Sequence, residues 1–177
     1  YDGHCHLLAD RTHSAGGVVM YKGDAAGLVE LKDVIGVRKT AVMSWVGPVA
    51  SEPDFGNDIV LSAVKRFPKR FLGLVTVNPT HTSAARMTSE LRRLVDKEGF
   101  VGIKPYVRLG LKYSHPLYAL CWEFAEKRGL YALLHIGGAA GGMDMVRELA
   151  KTYPAVQWVV AHTGGSFGMA REVAAGM

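Results

Sequence analysis

Four of the seven histidines in this 177-residue chain stand where they could do chemistry. His4 and His6 lie two apart in the opening YDGHCHLL, a short apolar run that reads as a strand, so both imidazoles leave the same face of it. A His-x-His pair on a strand is a metal-ligand geometry. His135 in LYALLHIGG and His162 in VQWVVAHTGG also stand where a β-branched or leucine-rich run meets glycines. Four histidines at strand C-terminal ends point to one shared site, and the paired glycines after His135 and His162 allow close backbone approach to a ligand or a tight strand-to-helix turn.

The elements that must position them follow from periodicity. Strand-like runs cover 1–6, 40–46, 71–77, 101–105, 130–135 and 156–162. Helical patterns alternate with them. Residues 24–34 carry Leu28, Leu31 and Val34, 58–67 carry Val60, Leu61 and Val64, and 83–97 carry Met87, Leu91, Leu94 and Val95. A fourth helix is expected to take Ser114 as N-cap and Pro116 in its first turn, and to stop at Gly129. Met145, Val146 and Leu149 stripe a fifth ending before Pro154, and Ser166 is placed to cap a sixth.

Six strand-then-helix units, several with strands apolar throughout, predict parallel strands covered on both faces. No Gly-x-Gly-x-x-Gly follows the first strand, and the histidines come from strands one, five and six, which a curved sheet gathers more easily than an open one. The fold class expected is therefore α/β, of the (β/α)8 TIM-barrel type. A complete barrel has eight strands and about 250 residues, so the chain reads as truncated after the sixth βα unit: one domain over 1–177 that lacks its last two units.

DGHCHL, the VNP of Val77 to Pro79, GFVGIKPY from Gly99, LLHIGG from Leu133 and the YP…VVAHTGG stretch from Tyr153 to Gly165 together resemble the amidohydrolase-related metal-dependent hydrolases. The likeness is to the branch containing aminocarboxymuconate semialdehyde decarboxylase and aromatic-acid decarboxylases, and it runs in order over nearly the whole chain. Carried over by position, the resemblance implies His4, His6 and His135 as ligands of one divalent metal, zinc with manganese as the second choice, and His162 as general acid/base. The eighth-strand aspartate of that family has no counterpart here. Three protein ligands with an open position are what a catalytic site needs, and the ion would lower the pKa of a bound water towards about 7. His162 would shuttle the proton in hydrolysis or in decarboxylation.

Alternation turns the Cys5 sulfur away from the two histidines, towards the helix layer, and puts Asp2 on their face, as an orienting carboxylate or as a simple strand-start charge. Lys104 ends the fourth strand, where it could contact a substrate carboxylate or, as in binuclear relatives of the resembled superfamily, be a carbamylated bridging ligand. Trp45 and Asn78 end strands two and three and are expected to line the substrate pocket, Trp45 having core packing as its other reading. His13, with Arg11 in a long first loop, either reaches over the mouth or stays solvated, and His81 and His115 receive no role. The glycines of 137–142 lack the Gly-Lys-Ser/Thr ending of a phosphate loop and read as a lid or turn.

Composition sets the bounds. A 49% hydrophobic and 21% charged chain is an ordinary globular one, and its net charge of +5 is scattered rather than gathered into a nucleic-acid surface, while suiting a small anionic substrate. Two distant cysteines argue against a disulfide scaffold, and no apolar run approaches the roughly 20 residues that span a membrane. A cytoplasmic, metal-dependent hydrolase or non-oxidative decarboxylase acting on a small carboxylate or carbonyl compound is the expectation. The alternative is a catalytically inactive fragment that binds metal or acts as an interaction protein. The open edges of a six-stranded barrel make that alternative an obligate oligomer, and a homo-oligomer is the expected assembly.

Overall fold

The computed structural model describes residues 1–10, 12–15, 18–46, 53–105, 111–136 and 141–165, with the single positions 168, 171 and 175. Its first strand, β1 (Asp2–Leu7), is followed by a two-stranded antiparallel ribbon, β2 (Thr12–Ala15) and β3 (Val18–Tyr21). The segment read as a long first loop is therefore a hairpin; Arg11, Gly16, Gly17 and the side chain of His13 lie outside what is described. Then come α1 (Ala25–Val34), β4 (Thr40–Ser44), α2 (Pro53–Arg66), β5 (Phe71–Val77), α3 (Ala84–Leu91) and β6 (Gly102–Pro105). The last described units are α4 (Ala119–Glu126), β7 (Tyr131–Leu134), α5 (Met143–Thr152) and β8 (Gln157–Val160).

The six main strands form one parallel sheet in the order β1-β4-β5-β6-β7-β8, which is chain order, so every crossover advances by one strand. A flat sheet of six would hold its margins about 24 Å apart at the usual inter-strand spacing. Here the ring of His4, on β1, lies 4.8 Å from that of His162, just past β8, and the Tyr131 hydroxyl on β7 donates to the Gly3 carbonyl at 2.8 Å. The sheet is thus curled into part of a TIM-type barrel, with helices outside it.

Alternation along the strands divides the core in two. Val42, Val75, Val77, Ile103, Ala132 and Leu134 face the helices and pack with Leu28, Val60, Leu91, Trp122 and Val146. Ala41, Met43, Leu74, Leu133 and Ala161 face the concave side and fill the barrel floor, flanked by Val101 and Tyr131. Strands apolar on both faces are what this two-sided burial requires.

Local chemistry sets the helix ends. Asp24 and Ser83 cap α1 and α3 by accepting from the N–H groups of Gly27 and Arg86. At the fourth helix the cap is His115, not Ser114: its Nδ1 accepts from Leu117, a 3₁₀ turn over Pro116–Tyr118 follows, and only then does α4 begin. The predicted helix over 83–97 is α-helical only as far as Leu91 and continues as a π-helical stretch, Arg92–Lys97, that ends at Gly99 with φ +74°. Ser166, expected to cap a sixth helix, and the glycines of 137–140 lie outside the described residues.

Gly102 shows how tightly β6 meets β7. A Cβ added there would stand 2.3 Å from the Tyr131 carbonyl oxygen and 2.9 Å from the Tyr131 Cβ. Gly102→Ala is expected to cost about 2 kcal/mol or more, because relief requires one strand to move. That corresponds to a fall of roughly 4–8 °C in Tm for a chain of this size; an unchanged melting curve would contradict the described β6–β7 approach.

Candidate active site

The sheet delivers the four histidines to one place. His4 and His6 leave the concave face of β1, their rings 5.3 Å apart, while the Cys5 between them packs with the helix-side core, as alternation requires. His162 stands 4.8 Å from His4 and 5.1 Å from His135, so the four rings form a continuous chain from His6 to His135. Two imidazoles on one ion, with metal–nitrogen bonds of about 2.0–2.1 Å, have ring centres about 5 Å apart. Among the described residues no three His, Cys, Asp or Glu side chains already converge as a ligand set. The rings meet edge-on or tilted, with interplanar angles of 61° for His4–His6, 53° for His4–His162 and 72° for His135–His162.

Each ring is held by different means. The backbone at His162 (φ 55°, ψ 25°) and Thr163 (φ 51°, ψ 36°) is left-handed, and it continues so through Gly164 and Gly165. For a non-glycine residue that conformation costs about 1–2 kcal/mol, and this strain turns the chain out of β8 where the His162 ring meets both neighbours. His135, the residue after β7, is buttressed from the helix layer: the Trp122 indole donates to the Tyr113 carbonyl at 2.7 Å, and the Tyr113 hydroxyl donates to the His135 carbonyl at 2.9 Å. Trp45 packs edge-on against His6 with ring centres 5.0 Å apart, and its backbone N–H donates to the Leu7 carbonyl.

Asp2 does not orient a histidine. A register shift between Asp2 and Cys5 interrupts the alternation, and the Asp2 carboxylate pairs with Lys32 of α1 and accepts from the His4 backbone N–H. Asn78 is fully buried; its Oδ1 accepts from the Thr80 N–H and hydroxyl, which shapes the turn after β5. Sequence reasoning passed over Asn57, Thr76, Tyr113 and Trp122. Asn57 carried a signal, a polar residue on the α2 stripe with Val60 and Ala63, but nothing local shows what it bonds.

Burial controls the electrostatics. It pushes His4 down to about 4, with the Lys104 and His162 charges acting in the same sense, and His6 down to about 3, with His4 and Lys104 adding to it. Burial, then Lys104 and His162, lowers His135 as well. At neutral pH His4 and His6 are uncharged, each with a lone pair. His4 Nε2 and His6 Nδ1 are buried without a hydrogen-bond partner, and orphaned atoms of that kind are rare in folded proteins. Neutral, desolvated, unpartnered ring nitrogens in adjacent imidazoles fit a divalent cation.

Lys104 is the only charged residue among the buried ones described, with 2% of its surface exposed, and burial alone brings its ammonium down to about 8. Its cost to the fold is full below about pH 8 and fades as the unfolded chain also deprotonates towards 10.5. Wild-type stability relative to Lys104→Met is therefore expected to rise by up to about 3 kcal/mol between pH 8 and 10.5, measured by urea unfolding. A flat difference would place the amine in water.

Parallel βα units wound into a curved sheet, with imidazoles gathered at the strand C-terminal ends, define the class of (β/α)-barrel folds. The chain belongs to the amidohydrolase family, whose family model matches residues 1–176. No curated protein matches it. Solved structures do. One is a 2,6-dihydroxybenzoate decarboxylase from Rhizobium, at 19% identity and TM-score 0.59 over 77% of this chain and 55% of that one. Another is 5-carboxyvanillate decarboxylase from Novosphingobium aromaticivorans, complexed with manganese and 4-hydroxy-3-methoxy-5-nitrobenzoic acid, at 18% and 0.64 over 84% and 53%. A third is 4-oxalomesaconate hydratase from Rhodopseudomonas palustris, at 18% and 0.61 over 85% and 54%. At these identities the likeness is one of fold, and the chain spans about half the length of the structures it matches.

Proposed function

We propose that the histidine cluster is a mononuclear metal centre for decarboxylation or hydrolysis of a small anionic carboxylate, and that the chain supplies six βα units of one such domain. The observation that carries the reading is the pair of buried, unpartnered nitrogens on His4 and His6, both neutral at physiological pH. His135 would be the third ligand. Manganese, present in the 5-carboxyvanillate decarboxylase neighbour, joins zinc as a candidate. When bound, the ion would supply Lewis-acid polarisation of an oxygen and acidify a water.

The remaining residues have roles of their own. Lys104, a buried cation on the same concave face, would hold an anionic oxygen of the substrate and keep it desolvated. His162, fixed by its left-handed backbone between His4 and His135, would carry a proton to or from the reacting carbon or oxygen on a ring nitrogen. Trp45 would form an apolar wall beside His6, and Asn78 would contribute by holding the β5 turn that closes that side. Decarboxylation of a hydroxylated aromatic acid is preferred over hydrolysis, because a buried ammonium suits a carboxylate or phenolate better than a neutral ester, and two of the structural neighbours named are decarboxylases of such acids.

The test is carbon dioxide release from 2,6-dihydroxybenzoate and related hydroxybenzoates by the manganese-loaded chain, beside turnover of lactones and aryl esters. Metal-dependent carbon dioxide release that disappears in His162→Asn supports the proposal. Ester or lactone turnover alone moves the chain to the hydrolases, and neither reaction in a metal-loaded chain leaves the inactive metal-binding reading.

A further inference from the structure

Thr76 is the one buried residue outside the histidines whose side-chain polar atom lacks a partner: its Oγ1 is enclosed, with 2% of the residue exposed, and bonds to nothing among the described residues. It sits on β5 directly beside Lys104 on β6, the two being register partners in the parallel pair. Leu74, two residues before Thr76, belongs to the concave-side core, whereas Val75, Val77 and Ile103 pack with the helices. Alternation therefore sends Thr76 and Lys104 to the concave side together, and the Lys104 charge is felt by His4, His6 and His135.

Thr76 is also held unusually firmly. Its backbone N–H donates to Asn57 Oδ1 at 2.8 Å and its carbonyl accepts from Asn57 Nδ2 at 3.1 Å. The β4–β5 ladder ends at Val42 and Gly73, so beyond it the α2 asparagine supplies the bonds that a neighbouring strand would give. The two side chains leave backbones one strand spacing of about 4.8 Å apart on the same face, and a fixed hydroxyl with an unused donor beside a desolvated ammonium suits the two oxygens of a carboxylate: one accepts from the ammonium, the other from the hydroxyl.

We propose that Thr76 and Lys104 form a buried clamp for one carboxylate of the ligand, with Asn57 as its positioning residue. The clamp rests on the reading of the concave face as a substrate site and not on the metal. A bare structural role makes the opposite forecast for Thr76. Replacing an orphaned buried hydroxyl by a methyl of the same shape is neutral or stabilising for the fold, so a clamp is distinguished by stability and binding moving in opposite directions.

The experiment is calorimetric titration of the full chain with benzoate and with the neutral isostere benzamide, for wild type, Thr76→Val, Thr76→Ser and Lys104→Met, with Tm and bound manganese recorded on the same samples. Wild type is expected to take benzoate in clear preference to benzamide. Thr76→Val should melt at or above wild type yet bind benzoate about tenfold more weakly, Thr76→Ser should bind it as wild type does, and Lys104→Met should lose the preference for the anion. A wild type that binds both probes alike, or binds neither, overturns the clamp without reference to any variant. Unchanged benzoate affinity in Thr76→Val and Lys104→Met does the same. Benzoate binding through the clamp in a chain that takes no manganese would sink the metal reading and leave the clamp standing, whereas manganese uptake without benzoate selectivity would do the reverse.

Discussion

Replacing His4 and His6 together by alanine is expected to reduce bound metal from roughly one ion per chain to a small fraction of that after dialysis. Loss of an outer-shell partner alone weakens metal binding by about 10–100-fold, and two ligands removed at once should cost at least about 10³-fold. Elemental analysis by inductively coupled plasma mass spectrometry of wild type and variant, each incubated with manganese or zinc, checks it. The apo fold should survive, because both side chains border the concave face, their buried Nε2 and Nδ1 atoms make no hydrogen bond among the described residues, and alanine forfeits only the bond between the His6 ring and the Ser44 backbone. Equal metal in both proteins would remove His-x-His from the site.

The second large effect concerns acid. In the metal-free chain His6 titrates near 3 and His4 near 4, against 6.5 for an ordinary histidine. Below about pH 6.5 the unfolded chain therefore takes up protons that the folded chain refuses, and stability falls as pH falls until both folded values are passed. For the largely buried His6 the full effect is on the order of 4 kcal/mol; half-exposed His4 adds less, because solvent screens it. Urea unfolding of the metal-free protein at pH 7 and pH 5 should show a loss of about 2 kcal/mol or more, and His6→Gln should lose distinctly less over the same interval. Were the variant to lose as much as wild type, the environment described for His6 would be wrong.

Much of this was legible in the chain. The alternation of strand and helix patterns gave the right count of parallel strands, and placing His4, His6, His135 and His162 at strand ends matched where the rings meet. The orientation of Cys5 followed from a period of two. The same rule failed at Asp2, because a register shift is a pairing property that no single strand reveals. The β2–β3 ribbon has a signal in the sequence, a Gly-Gly pair between short runs containing β-branched residues, but the runs are only four residues each and too short for a period of two to stand out from a loop. Tyr113 and Asn57 were invisible for another reason. Each acts on a backbone group far along the chain, the His135 carbonyl and the Thr76 amide and carbonyl, and spacing within one helix or loop does not encode such partners.

The hydrogen bond from the Tyr131 hydroxyl to the Gly3 carbonyl has a consequence for how the molecule is made, since it joins residues 128 apart in sequence. At about 5–20 residues per second, a ribosome delivers Tyr131 roughly 6–26 s after Gly3. Throughout that interval β1 can pair with β4 on one side, but its inner face, with both histidines, has nothing to close against. Contacts of such long range pay loop-closure entropy before they return any stability. Assembly of the histidine cluster is therefore a late event in folding, and amide exchange at Gly3 and His4 should report the global unfolding of the domain rather than local fraying of its first strand.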